Sequence, residues 1–199
     1  MERAGFSPVS FFLELHTENN HMSLLGTIKK TGRSIENAIV GKPSAGPQED
    51  MDILDKLKQE HEEAAELLET IAESKSGTER KAALKKLKGA LIPHLRAEGK
   101  VVYDTLAALK DKEVKQDALE GHLEHDLAER TLLQLLKIQN AMSPEFSATA
   151  KVLKELVEHH VEEEEKDIWS DVRDHFSSDD RLQMNRAFEA AKKKVKLPA

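Results

Sequence analysis

The chain has 199 residues, 39% of them apolar, which suffices for one compact domain with a core and some added sequence at its ends. Charged residues make up 34% and aromatics 4%, with Ala, Leu, Glu and Lys dominant, a composition suited to amphipathic helices rather than strands. A net charge of −7 argues against a general binder of phosphate backbones, and the lack of cysteine excludes disulfides, thiolate zinc sites, iron–sulfur clusters and cysteine nucleophiles. Any metal must be held by His and carboxylate. No apolar run approaches the roughly 18 residues of a membrane span, so the expected location is cytoplasmic.

Residues 1–49 read as an N-terminal extension, interrupted by proline and glycine and running into the linker-like GKPSAGPQED. Within it, SLLGTIKKTGRSIENAIVG can form a short amphipathic helix that docks a protein partner or a membrane surface, although an unstructured tail is the simpler reading. Met22 offers an alternative start.

The helical period begins after Asp50. Leu54, Leu57, His61, Ala64, Leu68 and Ile71 recur three and four apart, so the first predicted helix carries His61 on its apolar face. SKSGTER breaks the pattern. A second stripe runs through Leu84, Leu87, Leu91, His94, Glu98, Val101 or Val102, Thr105 and Leu109, with Pro93 predicted to bend the rod just before His94. KDKEVKQD opens a third helix with Ala118, Gly121, His125, Ala128, Leu132 and Leu135 inward, and His122, one turn earlier on nearly the same side, ranks second to His125. Ser143 as N-cap and Pro144 at the first helical position start a fourth helix, whose stripe is Leu153, Leu156 or Val157, His160, Glu164, Ile168 and Val172. After SSDDRLQ, residues 177–199 hold a short last helix, with Met184, Phe188, Ala191 and Val195 on one side, and the basic KKKVK tail; packing is its expected role.

A single inward His is more often a hydrogen-bonded core residue than a ligand. Here four successive helices each place one near mid-stripe, and the second and fourth add a Glu one turn later, as His94 with Glu98 and His160 with Glu164. HLRAEGKVVYDTL at 94–106 overlays HVEEEEKDIWSDV at 160–172 without a gap, and the His61 to His94 and His125 to His160 separations are 33 and 35 residues, so the chain reads as two copies of one helical hairpin. That overlay also sets His160 and Glu164, rather than His159 and Glu163, on the inward face. Two buried carboxylates facing each other carry a large electrostatic cost that divalent cations remove. Four imidazoles and two bridging carboxylates suit first-row metals such as iron, about 3.5–4 Å apart as in other two-metal sites, and the same ligands suit zinc or manganese.

LKQEHEEAAELLETI, LIPHLRAEGKVVYDTL, LEHDLAERTLLQLL and LVEHHVEEEEKDIWSDV, in this order, resemble the hemerythrin-like, or HHE cation-binding, domain family over about residues 50–175. The resemblance implies an all-α, antiparallel up-down four-helix bundle over 50–176. It also implies a non-haem di-iron centre, two Fe ions with an oxo or hydroxo bridge, held by His61, His94, Glu98, His125, His160 and Glu164. The oxygen-carrying members usually add a fifth histidine through an HxxxH helix; here the third helix reads GHLEHDLAE, with Glu129 where that histidine would stand. Fewer histidines imply open positions, and hence reaction with oxygen, peroxide or nitric oxide in stress response or iron handling rather than oxygen storage. Nitric-oxide repair members usually carry a cysteine-containing N-terminal domain, and this chain has no cysteine, which weakens that expectation. As an enzyme the chain is expected to disproportionate peroxide. The rival expectations are a redox sensor or adaptor acting through a protein partner of residues 1–49, and a metal-free helical interaction module. No nucleic-acid partner is expected.

Overall fold

In the computed structural model, residues 51–198 are described, and among them the only regular secondary structure is helical. The expectations for residues 1–49, including the amphipathic helix and the linker, lie outside the described residues.

Four long helices account for most of the chain: α1 (Ile53–Glu73), α2 (Gly77–Glu98), α4 (Lys112–Lys137) and α5 (Pro144–Glu163), with short α3 (Asp104–Ala107) and α6 (Trp169–His175) extending the second and fourth, and α7 (Ser178–Lys192) last. Each start has a local cause. Asp52 accepts from the Leu54 amide, Ser76 from Glu79, Asp111 from Glu113 and Val114, and Ser143 from Phe146 with Pro144 behind it, so side chains satisfy amides that the first turn leaves open. Ser177 and Asp180 form a reciprocal capping box at α7. The α2 helix runs through Pro93 without a break in its assignment.

Helix α1 packs along α2 and α5, and α4 packs along the same two, so the four long helices close a ring. The interior is layered. Leu68, Ile71, Leu87, Leu132, Leu135 and Phe146 fill one apolar plug; Ile53, Leu57, Val102, Tyr103, Val172 and Phe188 fill another. Between these plugs, on α1, α2, α4 and α5, stand the buried histidines and glutamates. At the far end of the first plug, the buried Arg80 guanidinium donates to the carbonyls of Ala72, Ser74 and Ala141 and to Ser147 Oγ, tying the two interhelical turns together.

The helical period alone misses one feature. Both helices that carry a Glu change to π-helical turns there, Gly99–Tyr103 after Glu98 and Glu164–Ile168 at Glu164. A π-turn admits one extra residue per turn, so the inward stripe widens. Val101, Val102 and Tyr103 are all buried where the 3.6-residue period allots one of them, and Ile168 and Trp169 are buried in succession. Tyr103 thereby enters the core, its ring lying flat against the one-atom face of Gly121: a Cβ added there would stand 2.6 Å from Tyr103 Cζ. The last helix also does more than pack, since Phe188 meets the His94 ring edge-on at 5.9 Å and Lys192 reaches Glu60.

Gly121→Ala should destabilise the protein by about 1–3 kcal/mol, because the Tyr103 ring is enclosed and cannot swing aside. Urea unfolding of the two proteins measures this, and an unchanged midpoint would contradict the packing.

Candidate metal centre

All six expected residues meet in the polar layer: His61, His94, His125 and His160 are 4–6% exposed, Glu98 0% and Glu164 1%. The imidazoles form two close pairs, His61 with His94 at 5.1 Å between ring centroids and His125 with His160 at 4.6 Å. Each carboxylate spans both pairs. Glu98 Oε2 lies 3.1 Å from His94 Nε2 and 3.4 Å from His125 Nε2; Glu164 Oε2 lies 3.4 Å from His61 Nε2 and 3.5 Å from His160 Nε2. Two groups with metal-ligand spacing result, His61–His94–Glu98 and Glu98–His125–His160, sharing Glu98.

The outer ring nitrogens explain the inner ones. His61 Nδ1 is bonded to Glu165 at 3.3 Å, His94 Nδ1 to Glu60 at 3.2 Å, His125 Nδ1 to the Leu95 carbonyl at 2.9 Å and His160 Nδ1 to Glu124 at 2.7 Å. Carboxylates and carbonyls accept, so each Nδ1 is the donor, and in a neutral ring the Nε2 lone pair is left facing the centre. His125 Nε2 and His160 Nε2 face each other at 2.9 Å, and two lone pairs at that distance need a proton or a cation between them. Buried atoms without a hydrogen-bond partner include His61 Nε2, both Glu98 oxygens and Glu164 Oε2. These orphaned atoms surround the same point, and imidazole nitrogen with carboxylate oxygen is a donor set that fits first-row metal ions.

The same geometry sets the titration of the metal-free protein. Burial works to raise the Glu98 carboxyl, but the adjacent His94, then His125 and His61, hold it well below the usual carboxylate range. Burial and then the neighbouring Glu98 push Glu164 well up, so the two carboxylates are driven apart in their titration. Burial favours the neutral His94 ring, yet Glu98 and Glu60 overcome it and lift the group to about 9. Burial and the His94 charge depress His61 to about 3.

Sequence periodicity does not reveal the residues outside the six, although the hairpin repeat holds the signal. Glu60 and Glu124 each precede the first histidine of a hairpin and each bonds the second. Trp169 and Tyr103 occupy the same repeat position; Trp169 stacks on His61 at 6.1 Å and donates to Glu164 Oε1, and Tyr103 meets His125 at 5.0 Å. Glu165, matched to Gly99 in the overlay, bonds His61; at Gly99 the space is taken by the His122 ring, which pairs with Asp104 at 3.1 Å. Glu129 forms a double hydrogen bond with Arg96 on the outer side. His159 and Glu163 are exposed, as the overlay required.

The family model of the hemerythrin HHE cation binding domain matches residues 52–184. A curated protein named DNA nickase, from Nostoc sp. (strain PCC 7120 / SAG 25.82 / UTEX 2576), is 22% identical over 183 residues, which cover 92% of this chain and 51% of that protein. The chain spans about half the length of this curated relative. No solved structure matches it.

Metal uptake by metal-free protein at pH 7 should release protons, because His94, raised to about 9, must give up its proton to become a ligand. The release should diminish as pH rises through about 9, where His94 is already neutral. Titration calorimetry with Co2+ in buffers of different ionisation enthalpy reads this; heats independent of the buffer would contradict it.

Proposed function

This chain belongs to the hemerythrin HHE cation-binding domain family, and we propose that it is a non-haem di-iron protein that binds or reacts with oxygen, peroxide or nitric oxide in stress response or iron handling. The observation that carries the reading is that each fully buried carboxylate touches one imidazole of each histidine pair, an arrangement suited to bridging two ions. In this reading the four long helices are an antiparallel up-down four-helix bundle over residues 50–176, residues 1–49 and 177–199 are its appendages, and the protein works in the cytoplasm. His61, His94, His125 and His160, through Nε2, would hold the ions together with the Glu98 and Glu164 carboxylates.

Two iron ions supply reversible one-electron redox chemistry and open positions for a small ligand. The chain's own residues do the rest. Glu60, Glu124, Glu165 and the Leu95 carbonyl keep each imidazole in the tautomer that offers Nε2 inward. Trp169 orients Glu164 through its indole N–H. A cavity of about 270 Å3 reaches His61, His94 and His160 along Ala64, Leu91, Leu95 and Val157, with Lys56, Glu60, Glu63 and Lys192 also in its lining, and its volume suits a small ligand. Among enzymatic outcomes, peroxide disproportionation needs no reductant beyond the ions themselves.

The relative is named for an action on DNA, but its identity to this chain is low and it is about twice as long. In the reading proposed here the chain binds no nucleic acid; its net charge is −7, and Lys192 of the basic tail is engaged with Glu60. A redox sensor is the second reading. It draws on the tail's attachment to the helix of His94, where Lys88 donates to the Pro198 carbonyl and Arg96 to that of Lys196.

Elemental analysis of untagged protein after anaerobic ferrous reconstitution should give two irons per chain, with a near-ultraviolet absorption that peroxide changes. Glu98→Ala and His94→Ala should each lose metal; retention of full occupancy by both, or metal-free wild type, would sink the proposal in favour of a helical interaction module. Gly89 borders the 270 Å3 cavity and a Cβ there meets nothing within 4 Å. Gly89→Leu should therefore leave iron content unchanged while slowing peroxide consumption by the iron-loaded protein.

A further inference from the structure

A second cavity, of about 160 Å3, reaches the centre between α4 and the π-turn at Glu164–Ile168. It differs from the first in charge. Asp117, Glu120, Glu124, Glu163 and Asp167 line it together with Glu164 and His160, and no Lys or Arg among the described residues contributes to its wall. The neighbouring Lys166 contacts Asp167 at 3.1 Å, but that pair is exposed on the outside. At the mouth, Glu124, His159 and Glu163 offer ligand atoms all within 4.8 Å of one another. Glu124 belongs to both levels, since its carboxylate also accepts from His160 Nδ1 at 2.7 Å.

Carboxylates alone are common on solvated helix faces, and the observation that sets this cavity apart is Tyr103. Its side chain is 0% exposed, its hydroxyl has no hydrogen-bond partner among the described residues, and it lines the same cavity beside Gly121. A buried hydroxyl left unpaired carries a cost that a polar occupant removes. The carboxylates of this wall repel anions and present oxygen donors to a hydrated divalent cation.

We propose that this acidic cavity is the route by which divalent metal ions enter the buried centre, with Glu124, His159 and Glu163 as the outer docking point and Asp117, Glu120, Asp167 and the Tyr103 hydroxyl along the way. The inference rests on the proposed two-metal reading. It divides the labour between two entrances: cations arrive through the acidic cavity, and small ligands through the larger one that also reaches His160. No covalent or redox step is involved. The ion exchanges water for carboxylate and phenol oxygen, then for the Nε2 and carboxylate donors of the centre.

The test is the rate of Co2+ uptake by full-length metal-free protein, followed by stopped-flow absorption, with final occupancy measured by elemental analysis. Two variants leave the six central residues and Glu124 intact. The first, Glu120→Gln with Glu163→Gln and Asp167→Asn, removes three charges from the cavity; the second, His159→Ala with Glu163→Gln, removes the docking point using exposed residues only. A control, Glu62→Gln with Glu66→Gln and Glu73→Gln, removes the same charge as the first variant from the exposed side of α1, away from both cavities. Both cavity variants should reach two ions per chain but load about tenfold more slowly at low ionic strength than the control, with the difference shrinking as salt is added. Cavity variants that load as fast as the control would overturn the route while leaving the metal centre standing. Wild-type protein that takes up no Co2+ at the centre would overturn the two-metal reading and this inference with it.

Discussion

Glu98 and Glu164 are buried together in the middle of a small helical protein, and the rest of the architecture answers that constraint. An isolated carboxylate taken from water into such an interior costs several kcal/mol, and a second one beside it adds repulsion. In the metal-free chain burial and Glu98 raise the Glu164 carboxyl, and His94, raised to about 9, stands charged beside Glu98. Apolar plugs above and below hold the polar layer in place. A pair of cations is the compensation that the proposed function adds.

The two hairpins meet the constraint in nearly the same way. In each, the residue before the first histidine braces the second, and an aromatic ring five residues beyond the glutamate walls the first histidine of the other hairpin. The difference falls at one repeat position. Glu165 braces His61, whereas Gly99 has no side chain to offer, so His125 takes the Leu95 carbonyl and His122 fills the space above Gly99. A carboxylate makes a more basic ligand of its imidazole than a carbonyl does. The two halves of the centre are therefore chemically unequal, although the helices that carry them are duplicates.

The surroundings are unequal too. One cavity is lined by lysines and glutamates, charges of both signs, beside apolar side chains, the other by carboxylates with Tyr103, His160 and Ile168. In the first, Lys192 from α7 bonds Glu60, which in turn bonds His94. That chain of contacts places the C-terminal helix, whose sequence suggested packing alone, one residue from a candidate ligand.

The helical fold, the four inward histidines and the two glutamates one turn behind them were legible from the sequence, because an amphipathic helix writes its buried face at a period of 3.6 and the overlay of 94–106 on 160–172 removed the ambiguity between His159 and His160. What the period could not express was settled by tertiary structure. The π-turns at Gly99–Tyr103 and Glu164–Ile168 change the period where the chemistry lies, so Tyr103 and Trp169 are buried against the simple stripe. His122 against His125, and the standing of Glu129 and Glu165, depended on which helix lies opposite: Asp104 takes His122, Arg96 takes Glu129, and His61 takes Glu165. One helix's sequence specifies which of its faces is buried. The partner met by each side chain is a property of the packed assembly, since these hydrogen bonds join residues 18 to 104 positions apart in the chain.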